Sequence, residues 1–145
     1  MAYFIYPDDV ENENHLTVCI AAKAGVMRSS VFSYVKTIKG TRFVGFVDTC
    51  DGASALVRNS PPDILIMDYD LNSTLADRDF FNVWVKTLVR QDLGILVIML
   101  VNDSFQLGSM MDAGVGFAFL KGQLNDNLRN AIGISHLSRG SKVKY

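Results

Sequence analysis

Residues 61–70 read PPDILIMDYD, and this stretch decides the fold. An unbroken apolar run from Ile64 to Met67 follows the Pro-Pro break and ends on Asp68. Such a run is typical of a strand that is buried on both faces of a parallel sheet. Ligand crevices of open parallel sheets lie outside the carboxyl ends of the strands, so we expect Asp68 at the mouth of a crevice. The alternative interpretation is that Asp68 has no binding role and is only a solvated carboxylate at the end of a strand.

Four further segments have the apolar composition of strands, and helical patterns separate them. The strands are predicted at 16–22, 43–47, 95–101 and 117–120, and the helices at about 26–38, 53–59, 80–90, 104–113 and 124–137. Asp51-Gly52 is predicted to form the turn after the second strand. This alternation indicates an α/β flavodoxin-like fold, a doubly wound five-stranded parallel sheet with strand order 2-1-3-4-5. Right-handed crossovers then bring Ala21, Ala22, Asp68 and Lys121 to one edge of the sheet.

The composition predicts one cytoplasmic domain. The chain has 145 residues, 49% of them hydrophobic, and a formal net charge of −1, so nothing at this level demands nucleic acid or an anionic membrane;. Cys19 and Cys50 form no CxxC pair or Cys/His cluster, which argues against zinc and dithiol chemistry. No stretch has the length of a membrane span or the pattern of a signal peptide. We divide the chain into an N-terminal arm (1–14), a domain (15–140) and a short basic tail (141–145).

Two motifs carry a resemblance to a known family. They are GFVDTCDGASAL followed by PPDILIMD, and DAGVGFAFLKG followed by LRNAI. With them, residues 16–140 resemble the CheY-like receiver domains of bacterial two-component response regulators, above all receivers that precede a NarL/LuxR-type helix-turn-helix. The resemblance implies that Asp68 corresponds to the phosphoryl acceptor and that Lys121 corresponds to the lysine that contacts the phosphoryl oxygens.

Other positions depart from the receiver pattern. Receivers end their first strand on two acids that help to hold Mg²⁺, and here those positions are Ala21 and Ala22. Receivers also have a Ser or Thr at the end of the fourth strand and an aromatic switch residue in the fifth strand. An ungapped count back from Lys121 puts Met99 at the first of these positions and Ala118 at the second. Because Mg²⁺ neutralises charge in phosphoryl transfer, these losses indicate a pseudo-receiver without a metal or cofactor, acting through protein contacts or dimerisation.

The cations near the acid-pair positions suggest two alternatives. The ammonium of Lys23 or of Lys121 could replace the missing Mg²⁺ and pair with Asp68, although Lys23 could equally point into water. Lys23 and Arg28 could also contact an anionic ligand, which would make the domain a small-ligand sensor. A further alternative does not involve these cations: the domain is a receiver that is still phosphorylated on Asp68, with a metal held by acids such as Asp48, Asp51 or Asp70.

The interaction surface is expected on the face formed by the fourth helix, the fifth strand and the fifth helix. Phe105, Met110 and Leu128 are its predicted contact residues for a protein partner or a second copy. The helix after Asp79 is also more apolar than one buried stripe requires. DNA would be bound only through an output domain that this chain does not contain. His15 and His136 form no acid-base constellation, so we expect no enzymatic activity.

Overall fold

The computed structural model of the chain describes residues 15–71, 78–91, 94–124 and 126–134. Five parallel strands form one sheet in the order β2-β1-β3-β4-β5, which confirms the predicted flavodoxin-like fold. The strands are β1 (Leu16–Ala21), β2 (Thr41–Val47), β3 (Ile64–Asp68), β4 (Leu96–Val101) and β5 (Phe117–Leu120). The helices are α1 (Val26–Val35), α2 (Cys50–Asn59), α3 (Arg78–Arg90), α4 (Ser104–Ala113) and α5 (residues 126–134). No helix of the described residues is long and apolar enough to cross a bilayer.

Strand β3 lies at the centre of the sheet, paired with β1 on one side and β4 on the other. Ile64 to Met67 are inaccessible to solvent because helices cover both faces of this strand. One apolar core contains Leu65 and Met67 together with residues of α2, α3 and α4, and the second contains Ile64 and Ile66 together with residues of α1 and α5. The unbroken apolar run therefore serves two cores at once.

Several predicted boundaries differ from the structure. Asp51-Gly52 is not a turn, because Thr49 caps α2 and its Oγ1 accepts a hydrogen bond from the Gly52 N–H at 2.9 Å;. Leu124 precedes α5 instead of beginning it. The predicted arm (1–14) and tail (141–145) lie outside the described residues.

A β-bulge interrupts the pairing of β1 with β2. The register passes from Val18 opposite Phe43 to Cys19 opposite Gly45, so Val44 is an extra residue in β2. Side chains alternate along a strand, and residues three positions apart normally point to opposite faces. The extra residue brings Phe43 and Phe46 to the same face, with their ring centroids 4.7 Å apart.

The end of α4 offers a test of local backbone constraints with a control in the same helix. Gly114 ends α4 in the left-handed region (φ 95°), and a Cβ there would lie 3.3 Å from Val89 Cγ1. We expect Gly114→Ala to lower the free energy of unfolding by about 1–2 kcal/mol. Gly108 lies inside α4, and a Cβ there would have no atom within 4 Å, so Gly108→Ala should raise the free energy by about 0.5–1 kcal/mol;. Urea unfolding of both variants measures the two changes in the free energy of unfolding. If both changes had the same sign, Gly114 and Gly108 would not differ in backbone conformation as the structure indicates.

Candidate functional site at the carboxyl ends of the strands

The candidate site lies where the parallel strands end on one edge of the sheet. Strand β1 ends at Ala21, β3 ends at Asp68, and Lys121 follows β5 directly. Asp68 is in register with Leu100 of β4, and Val101 of that strand is in register with Leu120 of β5. The topology thus brings side chains that are far apart in sequence to one edge, as the strand order predicts.

Lys121 forms ion pairs with two carboxylates. Its Nζ lies 2.7 Å from Asp68 Oδ1 and 2.7 Å from Asp70 Oδ2. Asp70 faces the same side as Asp68 because a 3-10 turn, Tyr69–Leu71, bends the chain back after β3. The Asp70 N–H also donates a hydrogen bond to Asp68 Oδ1 at 3.0 Å, which orients the two acids around the ammonium. The prediction that Lys121 can pair with Asp68 is thus confirmed.

The protonation of Lys121 follows from these partners. Burial of the side chain lowers its pKa, but the hydrogen bonds and negative charges of Asp68 and Asp70 outweigh burial and raise the pKa above the usual lysine value;. The ammonium form is therefore stabilised at neutral pH. The side chain of Asp68 is 13% exposed and that of Asp70 is 52% exposed, so solvent screens the second pair more than the first;.

A hydrogen-bond network connects the two carboxylates to α4. Asn102 Nδ2 donates to Asp70 Oδ2 at 3.0 Å and to Gln106 Oε1 at 3.0 Å, and the Asn102 N–H donates to the same Gln106 oxygen at 2.8 Å. Gln106 is buried, and its N–H donates to the side chain of the α4 cap, Asp103, at 2.8 Å. The first turn of α4 is thereby held against the strand-end site, which we define as Asp68, Asp70, Asn102 and Lys121.

Asn102 and Gln106 were not predicted as site residues. Asn102 is the first polar residue after the apolar run of β4, and this position is the signal that could have identified it;. Gln106 gives no such signal, because a glutamine in the first turn of a helix is usually exposed. Its burial depends on the neighbouring turn after β4 and is visible only in three dimensions.

Ala21 and Ala22, which were predicted to occupy the positions of the acid pair, are both buried. Ala21 packs in the core formed with α2, α3 and α4, and Ala22 packs in the core formed with α1 and α5. The Ala22 carbonyl accepts a hydrogen bond from Arg28 Nη1 at 3.3 Å, and the Arg28 guanidinium lies 4.3 Å from the centre of the Phe46 ring. These contacts direct Arg28 to the β2 edge of the sheet, whereas the predicted role placed it with the anion contacts.

The described residues contain no group of three or more His, Cys, Asp or Glu side chains that could hold a metal ion. The two acids of the strand-end site surround the Lys121 ammonium, which donates hydrogen bonds and has no lone pair for a metal;. Both carboxylates of this edge are therefore paired with a cation of the chain itself.

The predicted switch positions are both inside the sheet. Met99 is fully buried and is in register with Met67 on one side and Ala118 on the other. Met99 lies inside β4, which continues to Val101, and its correspondence to the Ser/Thr position of receivers stays a prediction. Met67, Met99 and Ala118 belong to or pack against the same core, so their contact is apolar.

Lys23 lies beside a separate open cleft of about 640 Å³. The cleft is lined by residues that follow β1, β2 and β3: Lys23, Asp48, Thr49, Cys50, Asp51, Leu71 and Phe80. Burial and the charge of Asp51 raise the pKa of the Cys50 thiol, so this thiol is protonated at neutral pH and is a poor nucleophile;.

Two of the three predicted contact residues are buried. Phe105 is 80% exposed, but Met110 and Leu128 are 0% exposed and pack in the two cores. Met110 was a wrong prediction because five residues along a helix correspond to about 140° of rotation, which turns Met110 away from the face of Phe105. The exposed apolar residues of α4 are Phe105 and Met111, and those of α3 are Phe80 and Val83.

The ion pairs predict an alkaline transition that depends on Lys121. Because its pKa is raised on folding, Lys121 should stabilise the fold fully below the unfolded value of about 10.4, and this stabilisation should disappear as the pH rises through the folded pKa;. Lys121→Met should lower the free energy of unfolding by about 1–3 kcal/mol at pH 7. The difference between wild type and variant should shrink above about pH 10.5.

Urea unfolding from pH 7 to pH 11.5 measures this difference, and Lys23→Met is the matched control. Lys23 is exposed, so its replacement should cost less than about 1 kcal/mol;. A difference between wild type and Lys121→Met that does not change with pH would contradict the ion-pair assignment.

No family model and no curated protein matches the sequence. Solved structures do match. The signal receiver domain of the response regulator NarL from Mycobacterium tuberculosis has a TM-score of 0.68 at 14% identity, covering 84% of this chain and 96% of that one. The isolated receiver domain of RcsB from Salmonella enterica serovar Typhimurium has a TM-score of 0.69 at 17% identity, covering 87% and 90%.

A further match is RcsB from the same organism bound to the promoter rprA in the presence of the phosphomimetic BeF3-, with a TM-score of 0.69 at 17% identity. It covers 83% of this chain and 60% of RcsB, so this chain corresponds to part of that protein. These identities are low, and the likeness concerns the arrangement of the backbone. The chain has the fold of response regulator receiver domains.

Proposed function

We propose that this chain is a pseudo-receiver of a two-component-type regulator, which acts in signalling or transcription regulation through protein contacts and without Mg²⁺-dependent phosphorylation of Asp68. The observation that supports the proposal is the position of the Lys121 ammonium, 2.7 Å from both Asp68 and Asp70. In a phosphorylatable site, a metal would neutralise the transferring oxygens next to the acceptor.

The contacts of Asp68 also oppose phosphoryl transfer. Its Oδ1 already accepts a hydrogen bond from the Asp70 N–H and pairs with Lys121. A metal that approached this carboxylate would meet the positive charge of the ammonium, and the buried methyl groups of Ala21 and Ala22 would contribute no ligand. Lys121, which the resemblance matches to the lysine that contacts the phosphoryl oxygens, is paired with two acids.

The same network supports a constant conformation of α4. Through Asn102 and Gln106, the paired carboxylates hold the first turn of this helix without any phosphoryl group. A surface on α4 would therefore be presented continuously to a partner protein or a second copy. Phe105 and Met111 are the exposed apolar residues that such a surface offers;.

Binding of DNA is proposed to require a further domain, because this chain covers only a part of RcsB, the neighbour that was solved bound to a promoter.

The second candidate function is the sensing of a small ligand. The open cleft beside Lys23 favours it, because ligands of this fold class bind outside the carboxyl ends of the strands;. The anion site first considered is less favourable, since Lys121 is paired with two carboxylates and Arg28 with the Ala22 carbonyl.

Intact mass measures phosphorylation directly. We expect no added mass after incubation of the protein with Mg²⁺ and a small-molecule phosphodonor, because the described residues provide neither a metal ligand set nor an unpaired carboxylate at position 68. Asp68→Asn is the matched control and should likewise show no added mass after the incubation. A single phosphoryl adduct on the wild type that is missing from Asp68→Asn would overturn the proposal. It would establish that the domain is a receiver phosphorylated on Asp68.

Sedimentation velocity tests the contact surface on α4. If the domain self-associates through α4, Phe105→Ser should shift the sedimentation coefficient toward that of the monomer by removing the most exposed aromatic ring of the helix;. Val26→Ser is the matched control, because Val26 is 85% exposed at the start of α1, on the opposite face of the sheet. Equal effects of the two changes would exclude α4 as the contact surface.

A further inference from the structure

The segment that forms α1 and β2 carries charge of one sign only. Residues 23–47 contain five cationic side chains and no aspartate or glutamate. The cations are Lys23, Arg28, Lys36, Lys39 and Arg42. The whole chain has 14 basic and 15 acidic residues, so this local excess is not a consequence of its composition. An edge of the domain is therefore positive, and its field favours an anionic partner.

Aromatic rings lie among these cations. The rings of Phe32, Phe43 and Phe46 contact one another, with centroid distances of 4.6 Å, 4.7 Å and 5.3 Å. The Arg28 guanidinium lies 4.3 Å from the Phe46 centroid, and Lys36 Nζ lies 4.7 Å from the Phe32 centroid. Arg28, Phe32 and Lys36 are spaced four residues apart, so they share one side of α1. The bulge at Val44 completes this cluster by turning Phe43 and Phe46 to the same face.

The cluster lies at an edge of the sheet. Strand β2 pairs with β1 on one side, and within the described residues no strand lies on its other side. Val44 is 44% exposed and Phe46 is 40% exposed along this edge. Exposed apolar side chains next to a free strand edge mark a surface that binds polypeptide, because the backbone groups of the edge are available as well. We call Arg28, Phe32, Lys36, Arg42, Val44 and Phe46 the α1–β2 surface.

Residues 1–14 have the complementary chemistry. They contain Asp8, Asp9, Glu11 and Glu13 and no lysine or arginine, and the apolar and aromatic stretch Tyr3 to Tyr6 precedes the acids. An acidic segment with aromatic side chains matches a cationic surface with exposed apolar groups.

The chain enters the fold beside this surface. The Leu16 N–H donates to the Gly40 carbonyl at 2.8 Å, and Leu16 is in register with Thr41, the first residue of β2. Residue 15 is therefore adjacent to the end of β2 where Lys39 and Arg42 lie. The seven residues of β2 span about 23 Å at about 3.3 Å per residue;. A segment of 14 residues can reach about 45 Å when extended, which is sufficient to follow the whole strand.

We propose that residues 1–14 bind the α1–β2 surface of their own chain. The acids of the segment pair with Lys36 and Arg42 of this surface and with the neighbouring Lys39, near the point of entry. Its aromatic stretch packs against Val44 and Phe46 farther along β2. The bound segment covers the free edge of the sheet. This interaction is independent of the strand-end site and of the function proposed for it.

A carbodiimide, which condenses a carboxylate with an amine without a spacer, tests the proposal on the full chain. We expect a covalent link between a residue of 8–13 and Lys36 or Lys39, identified by mass spectrometry in protein that migrates as a monomer. Lys86 on α3 is an exposed lysine on the other face of the sheet and is the matched control, with no link expected. Links that occur only between two chains, or equally to Lys86, would overturn the proposal.

A second measurement does not depend on cross-linking geometry. In the variant D8N/D9N/E11Q/E13Q, we expect Lys36 and Lys39 to react several-fold faster with a limiting acetylating reagent than in the wild type, while Lys86 keeps its rate. Unchanged rates at Lys36 and Lys39 would contradict the proposal. If the wild-type protein instead binds a fluorescent single-stranded oligonucleotide with steep salt dependence and the neutralised variant binds no better, the surface is a nucleic-acid site and the proposal is wrong.

Discussion

The burial of β3 on both faces is the constraint on which the rest of the structure depends. A charged side chain within Ile64 to Met67 would lie in one of two apolar cores, so the first position at which the strand can carry a carboxylate is its end;. Asp68 occupies that position. Parallel pairing then places the ends of β1, β4 and β5 beside it, and the side chains after these strands decide what the site can do;.

At this edge the cation that lies against Asp68 is a lysine side chain of the domain itself. A metal ion would bind and leave, and a site that depends on it could exist in two states. The Lys121 ammonium belongs to the chain, its pKa is raised by Asp68 and Asp70, and it is present in every folded molecule. The network through Asn102 to buried Gln106 extends this constant electrostatic state to α4.

The opposite edge of the sheet follows a different physical rule. An edge strand exposes backbone groups, and natural sheets interrupt or cover such edges. Here the extra residue Val44 interrupts the pairing of β2 and gathers three phenylalanine rings with Arg28 and Lys36. The cluster gives this edge exposed apolar side chains next to cations. The uniform positive charge of α1 and β2 favours an acidic segment as the one that covers the edge.

The sequence by itself determined the strand order, the central position of β3 and the placement of Asp68 and Lys121 at one edge, because apolar periodicity and crossover handedness are local rules. It also showed that alanines, Ala21 and Ala22, stand where β1 is predicted to end. Only the tertiary structure decided that Asp70 joins the ion pair, since this depends on a single turn after β3. The sequence pattern likewise did not predict three other features: the burial of Met110 and Leu128, the role of Gln106, and the aromatic cluster at the bulge. Helix rotation and strand register set them, and both respond to packing across the whole domain rather than to neighbours in sequence.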